Sequence, residues 1–233
     1  VSGYNLTSAL PPRPARAEVT RFSATIIALL AWYALTLQLY LVIVTARTTG
    51  ISVATAVVNY FSFFTISTNL LIALVLTLSL KTTPSNASTL ARCPTVQSAT
   101  AVYIAIVGIV YSLALRNIWA PEGLQKIADV ILHDAIPFLY LLYWLMFMRT
   151  GNNKSSLRFR DVPTWLSYPA LYLVYSLVRG AITGIYLYPF IDVGKRGYAH
   201  VTLNAFVLLC AFLGASLLLV AIARWMPPRD HSV

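Results

Sequence analysis

FSATIIALLAWYALTLQLYLVIVTA, residues 22–46, runs for 25 residues without a charged side chain. At 1.5 Å per residue, a helix of that length exceeds the roughly 30 Å hydrocarbon core of a bilayer. The polar residues ahead of it (with Pro11, Pro12 and Pro14) lack the apolar core of a signal peptide, and no small-residue cleavage pattern ends the run. It therefore reads as a retained span.

Working outward, five more apolar runs occupy 54–80, 98–118, 126–148, 164–189 and 198–225. They are long and continuous, without the dyad alternation of a β-barrel strand. Lipid cannot satisfy an open backbone, so each must be a helix. The expected fold is an all-α membrane protein, a six-transmembrane helix bundle over 22–225. A polar cytoplasmic segment, 1–21, precedes it and a short cytoplasmic tail, 226–233, follows.

Composition agrees. Hydrophobic residues make up 58% of the 233 and charged residues 10%, against roughly 25% charged in a soluble domain. Mean hydropathy is +0.73. A soluble chain of this size has too little interior for so much apolar surface.

The formal charge of +10 sits in short loops beside the apolar runs, with no aromatic-interleaved basic module. That pattern excludes nucleic-acid binding and points to topology control and anionic lipid. Eleven Lys and Arg fall on the side of the N-terminus, the 81–97 and 149–163 loops and the C-terminus. Five fall opposite: Arg47, Arg116, Lys126, Lys195 and Arg196. The excess predicts both termini in the cytoplasm. Trp144, Trp165 and Trp225 then fall near the inner interface, and Trp119, Tyr186 and Tyr188 near the outer one. Sequons at Asn5, Asn86 and Asn153 lie on the cytoplasmic side and are expected to stay unglycosylated. Cys93 and Cys210 have no metal-ligand spacing and suggest no disulfide framework.

Polar residues at membrane depth normally face the bundle interior or a cavity. In the second span Ser62, Thr65 and Asn69 share one face, flanked by Asn59 and Thr68. In the fourth, Lys126, Asp129, His133, Pro137 and Tyr140 form a descending stripe, with His133 about 10 Å below the start of the span. Asp129, one turn above, is placed to orient the imidazole; Asp134 points to another face. The fifth span carries Tyr168, Tyr172, Tyr175, Arg179, Thr183 and Tyr186, with Ser176, Gly180 and Gly184 on an adjacent small-residue face suited to close helix packing. Arg179 lies about 15 Å from the outer end of its apolar run and keeps its charge, so it needs an anion: a protein carboxylate or a ligand's. Each group also has a plain structural reading as an interhelical hydrogen bond.

The strings YFSFFTISTNLL (60–71), LHDAIP (132–137) and SYPALYLVYSLVRGAITGIYLYPFIDV (167–193) resemble the androgen-inducible membrane hydrolase family and its bacterial six-span relatives. Characterised members of that family cleave fatty acid esters of hydroxy fatty acids inside the membrane, with a threonine nucleophile and a histidine. The resemblance implies Thr65 as nucleophile, His133 as base, a membrane lipid or fatty acyl ester as substrate, and residence in a bacterial inner membrane. Here Asp134 follows the histidine where the bacterial branch often has an aromatic residue.

The combined expectation is an intramembrane lipid ester hydrolase. Thr65 attacks, His133 serves as base and then acid, and Asn69 or Ser62 donates to the oxyanion. Arg179 anchors a substrate carboxylate, and Tyr175 and its fellow tyrosines line the path. The chemistry calls for no metal or other cofactor. The rival readings are a proton- or anion-coupled transporter using His133, Asp129 and Arg179, and a non-catalytic lipid-binding protein. Two features count against the transporter: there is no internal repeat, and Pro137 is the only evident mid-span breaker.

Overall fold

The computed structural model describes residues 15–149 and 157–225, and no strand occurs among them. Helix α1 is Ala15–Thr49, α2 Val53–Ser62, α3 Phe64–Leu80, α4 Asn86–Ala91 and α5 Pro94–Val110. Helix α6 is Gly123–Val130, α7 Ile136–Met148, α8 Val162–Thr183 and α9 Val193–Trp225. Four helical stretches are long and apolar enough to cross a membrane, namely Glu18–Thr49, Pro94–Leu115, Gly123–Met148 and Val193–Trp225. The bent pair α2–α3 makes a fifth. Helix α8 falls short of that measure, because its apolar residues are interleaved with the tyrosine and arginine stripe. The chain is thus a multi-pass membrane protein by the length and composition of its helices.

Helix α1 lies along α3 and also meets α2, α6 and α7, while α5 sits between α3, α7 and α9, and α8 packs on α9. Polar bonds tie these contacts. Trp144 Nε1 donates to Ser98 Oγ at 2.8 Å, Tyr140 Oη to Gln97 Oε1 at 2.7 Å, and Tyr60 Oη to the Leu35 carbonyl at 2.8 Å. Trp144 and Trp165 are 1% and 2% exposed, so they pack between helices and do not form the expected interfacial belt. Trp119 and Trp225 are exposed.

The second apolar run is not one straight helix. Phe63 adopts an extended conformation (φ −74°, ψ 134°) and α2 meets α3 at 73°. Neither Gly nor Pro marks the spot. Side chains from elsewhere hold the break. Tyr172 Oη accepts from Phe64 N–H at 3.1 Å and donates to the Ser62 carbonyl at 2.9 Å, while Thr65 N–H points to Tyr188 Oη at 3.5 Å. Unpaired main-chain groups are costly in lipid, so these hydroxyls are what make the interruption tolerable. Removing the Tyr172 hydroxyl leaves two main-chain groups short of a partner. Tyr172→Phe is expected to destabilise the fold by about 1–3 kcal/mol, read as a lower melting temperature in detergent.

Two π-helical turns, Tyr111–Leu115 and Ile131–Ala135, interrupt α-helical bonding in the third and fourth runs. The second precedes Pro137, whose ring in a regular helix would meet the carbonyl of His133. The widened turn lets Gly123–Met148 continue as one helical stretch past the proline. Helix α5 approaches closely here: a Cβ on Gly108 would stand 3.1 Å from Pro137 Cβ and 3.3 Å from the His133 carbonyl oxygen.

Helix α8 stops earlier than its apolar run suggests. Gly184 closes it in the left-handed conformation (φ +71°), and the chain turns back through Tyr186, Tyr188 and a short 3-10 turn, Pro189–Ile191.

Candidate active site

The two π turns bring Tyr111 and His133 together. Their rings stack with centroids 4.0 Å apart and planes 14° from parallel. Asp129 lies one turn before His133, and its Oδ1 is 3.1 Å from His133 Nδ1. Nδ1 is also 3.0 Å from the Asp129 carbonyl oxygen. The other carboxylate oxygen accepts a hydrogen bond from Tyr111 Oη. The side chains of His133 and Asp129 are only 16% and 7% exposed. With Nδ1–H directed at the carboxylate, Nε2 is left as the basic nitrogen. The stripe expected from spacing thus places Asp129 beside the His133 ring, with Tyr111 against both.

Sequence reasoning missed Tyr111. Its signal was the placement of Tyr103 and Tyr111 eight residues apart in an otherwise apolar run, hence on nearly one face. Tyr103 donates to the Trp165 carbonyl instead, at 2.8 Å.

Thr65 follows the break at Phe63, in the first turn of α3, and is 8% exposed. Thr65, Asp129 and His133 all line one cavity of about 570 Å³, with Asn59, Tyr111 and Tyr188 among the other walls. A second cavity of about 460 Å³, between α5, α8 and α9, shares Thr65, Tyr111, Leu115 and Tyr188 with it. Thr65 thus belongs to the wall of both. Among the described residues, its hydroxyl makes no direct hydrogen bond to the imidazole, so the pair that the resemblance implies shares a cavity wall but no hydrogen bond. Catalytic contacts of this kind often tighten only on substrate binding.

The remaining expected site residues serve other ends. Asn69 is fully buried, and its Nδ2 donates to the Thr65 carbonyl at 2.8 Å and the Leu132 carbonyl at 3.3 Å. One N–H is spent within α3 and the other joins α3 to the π turn of His133, so it is not an oxyanion donor in this arrangement. Its Oδ1 is buried without a partner. Ser62 Oγ donates to the Val58 carbonyl and pairs with Tyr175 Oη, both at 2.6 Å. Neither Ser62 nor Tyr175 lines the cavity; they connect α2 to α8. Tyr168 does the same to α3, with Ser67 at 2.8 Å. The tyrosine stripe of α8 is a hydrogen-bonded seam along α2 and α3, and of its expected path-lining tyrosines only Tyr172 reaches a cavity.

Arg179 corrects two expectations. It stands four residues from Thr183, the end of α8, hence about 6 Å from the helix end and not 15 Å. Its guanidinium donates to the Ile185 carbonyl at 3.0 Å and to Asn59 Oδ1. Among the described residues no carboxylate pairs with it, and it lines neither cavity. It ties the end of α8 to α2. The small-residue face is corrected likewise: Gly180 lies under the Tyr186 ring and Gly184 is the helix cap. Asp134, unplaced by spacing, pairs with Arg116.

Among the described residues no group of three or more His, Cys, Asp or Glu is arranged to hold a metal ion. No protein-family model, curated protein or solved structure matches this chain. The reading of the site rests on its own geometry.

Proposed function

We propose that the protein is an intramembrane lipid ester hydrolase. The carrying observation is that an imidazole held by Asp129 and Tyr111 lines the same cavity as Thr65. In this reading Thr65 Oγ attacks the ester carbonyl while His133 Nε2 takes its proton. The imidazolium returns that proton to the departing alkoxide, leaving an acyl-threonine and a free alcohol. Water, activated by the same nitrogen, then releases the acid and restores Thr65. Asp129 keeps Nδ1 protonated and stabilises the imidazolium. Tyr188, whose hydroxyl lies 3.5 Å from the Thr65 amide nitrogen, lines the same cavity and is the side-chain donor assigned to the developing oxyanion.

The direct test is turnover of a long-chain acyl ester by the purified protein, together with phosphonylation of Thr65 by a fluorophosphonate-type probe, which loses fluoride as the Thr65 oxygen bonds to phosphorus. Absence of both turnover and labelling in folded protein removes the proposal.

We further propose six spans, counting α8 as the fifth, with both termini cytoplasmic and residence in a bacterial inner membrane. The eleven-to-five charge asymmetry supports the orientation. A cysteine at position 86 is expected to resist an impermeant thiol reagent added outside, and one at 195 to react. The opposite pattern inverts the topology.

The break at Phe63 favours a second reading. Interrupted spans with a half-helix N-terminus at membrane depth are a habit of secondary transporters, and Pro137 is not the only interruption as the sequence suggested. Uptake of a solute into sealed proteoliposomes without ester turnover selects transport.

A further inference from the structure

The two cavities that share Thr65 differ in chemistry. The one between α5, α8 and α9 is walled by groups such as Val107, Leu173, Phe206 and Phe212, and no charged residue lines it. The other presents Gln38, Asn59, Gln125, Asp129 and His133. Such a pairing suits an amphiphile whose tail lies on one side of Thr65 and whose head lies on the other. An acyl chain is the occupant that the surrounding bilayer supplies in excess.

The charge inventory limits the head group. Among the described residues neither cavity wall contains a Lys or an Arg. Arg179, the cation that spacing offered for a carboxylate, is engaged by Asn59 and Ile185, and Arg116 by Asp134. The one acid present, Asp129, is already held by His133 and Tyr111. A carboxylate head would lose its hydration beside an existing carboxylate and gain no free cation, which is strongly unfavourable. Gln125 Nε2 donates to Gln38 Oε1 at 2.7 Å, and the remaining amide groups of this pair, with the Thr45 hydroxyl on the same wall, can instead serve an ester, amide or alcohol.

We propose that the two cavities are continuous at Thr65, bind a single-chain lipid with an uncharged polar head, and discriminate against the anion of a free fatty acid. The proposal deepens the hydrolase reading by naming its substrate as a neutral lipid ester, but the binding step stands without catalysis.

The test uses the full-length protein in nanodiscs of a zwitterionic lipid. It compares oleyl glyceryl ether, which resists hydrolysis, with oleate, each corrected for its own partition into protein-free discs. At mildly alkaline pH the ether is expected to bind at least about tenfold more tightly. Lowering the pH, which protonates oleate, should narrow the gap. Gln125→Arg, which adds a cation to the polar wall, should also narrow it by strengthening oleate binding. Ala205→Phe, which fills part of the apolar cavity, should weaken the ether several-fold, whereas Leu171→Phe on the lipid-facing side of α8 should not. If Ala205→Phe is not monodisperse, Leu173→Phe takes its place. Equal or tighter binding of oleate at alkaline pH overturns the proposal, as does ether binding indifferent to filling the cavity. Ether binding without ester turnover would remove the hydrolase reading and leave this one intact. Ester turnover with no preference for the neutral lipid would do the reverse.

Discussion

Thr65→Ala and His133→Ala are each expected to lower turnover of a lipid ester by on the order of 10³-fold or more, with the double variant little worse than either single one. The reason is chemical. A threonine hydroxyl is a poor nucleophile unless a base removes its proton as it attacks, so losing either partner disables the same step. The two residues line one cavity without a direct hydrogen bond, and substrate binding must bring them within about 3 Å. Asp129→Asn should fall by on the order of 10²-fold or more, because the amide no longer favours the Nδ1–H tautomer. Tyr111→Phe keeps the stacked ring and loses only the bond to Asp129, so its loss should be the mildest of the set. Melting temperatures in detergent, taken beside the rates, separate chemistry from folding. Folded Thr65→Ala protein with full esterase activity would end the mechanism and leave the helical architecture untouched.

The second large effect is structural. A methyl group on Gly180 would stand 2.2–2.7 Å from three atoms of the Tyr186 ring. The ring must therefore leave its place, and it belongs to the turn that carries Ile185 and Tyr188. Ile185 supplies the carbonyl that receives Arg179, and Tyr188 lines both cavities. Gly180→Ala is expected to cost about 1–3 kcal/mol, the range for overpacking a filled site, and to lower turnover through the displaced Tyr188. Gly180→Ala with Tyr186→Ala should recover part of the loss, because the colliding ring is gone. An unchanged melting temperature in the single variant, or a double variant as impaired as the sum of its parts, argues against this coupling. Gly184→Ala tests something else. No neighbour lies within 4 Å of the added carbon, but φ is +71°, so only the backbone penalty of about 1–2 kcal/mol applies.

Much of the candidate site was legible for a local reason. Asp129 and His133 are four residues apart, and helical geometry brings such residues together whatever the surroundings. The π turn widens the helix at His133 without undoing that neighbourhood. Ser62 and Tyr175 were singled out for the right property, polarity at membrane depth, but assigned to substrate. Each satisfies the other, which is the commoner fate of small polar groups between membrane helices. Spacing sets Arg179 too deep because its apolar run continues past Thr183, where the helix ends. The helix ends at the left-handed glycine that precedes the Tyr-x-Tyr-Pro segment.

By itself the sequence determined that the chain is helical and made for a bilayer, because apolar run length and backbone satisfaction leave no other solution. It also set which residues share a helical face, since that depends only on the repeat of the helix. Tertiary structure alone decided which faces meet. The interruption at Phe63 has no breaker in its own segment and persists because Tyr172, more than a hundred positions later, satisfies the main-chain groups on either side. Tyr111 reaches Asp129 because Gly108 lets α5 approach the π turn of the fourth run. The cavities at Thr65 arise from gaps among non-consecutive helices. Periodicity records the direction of a side chain about its own axis, and the partner it finds is a property of the packed whole.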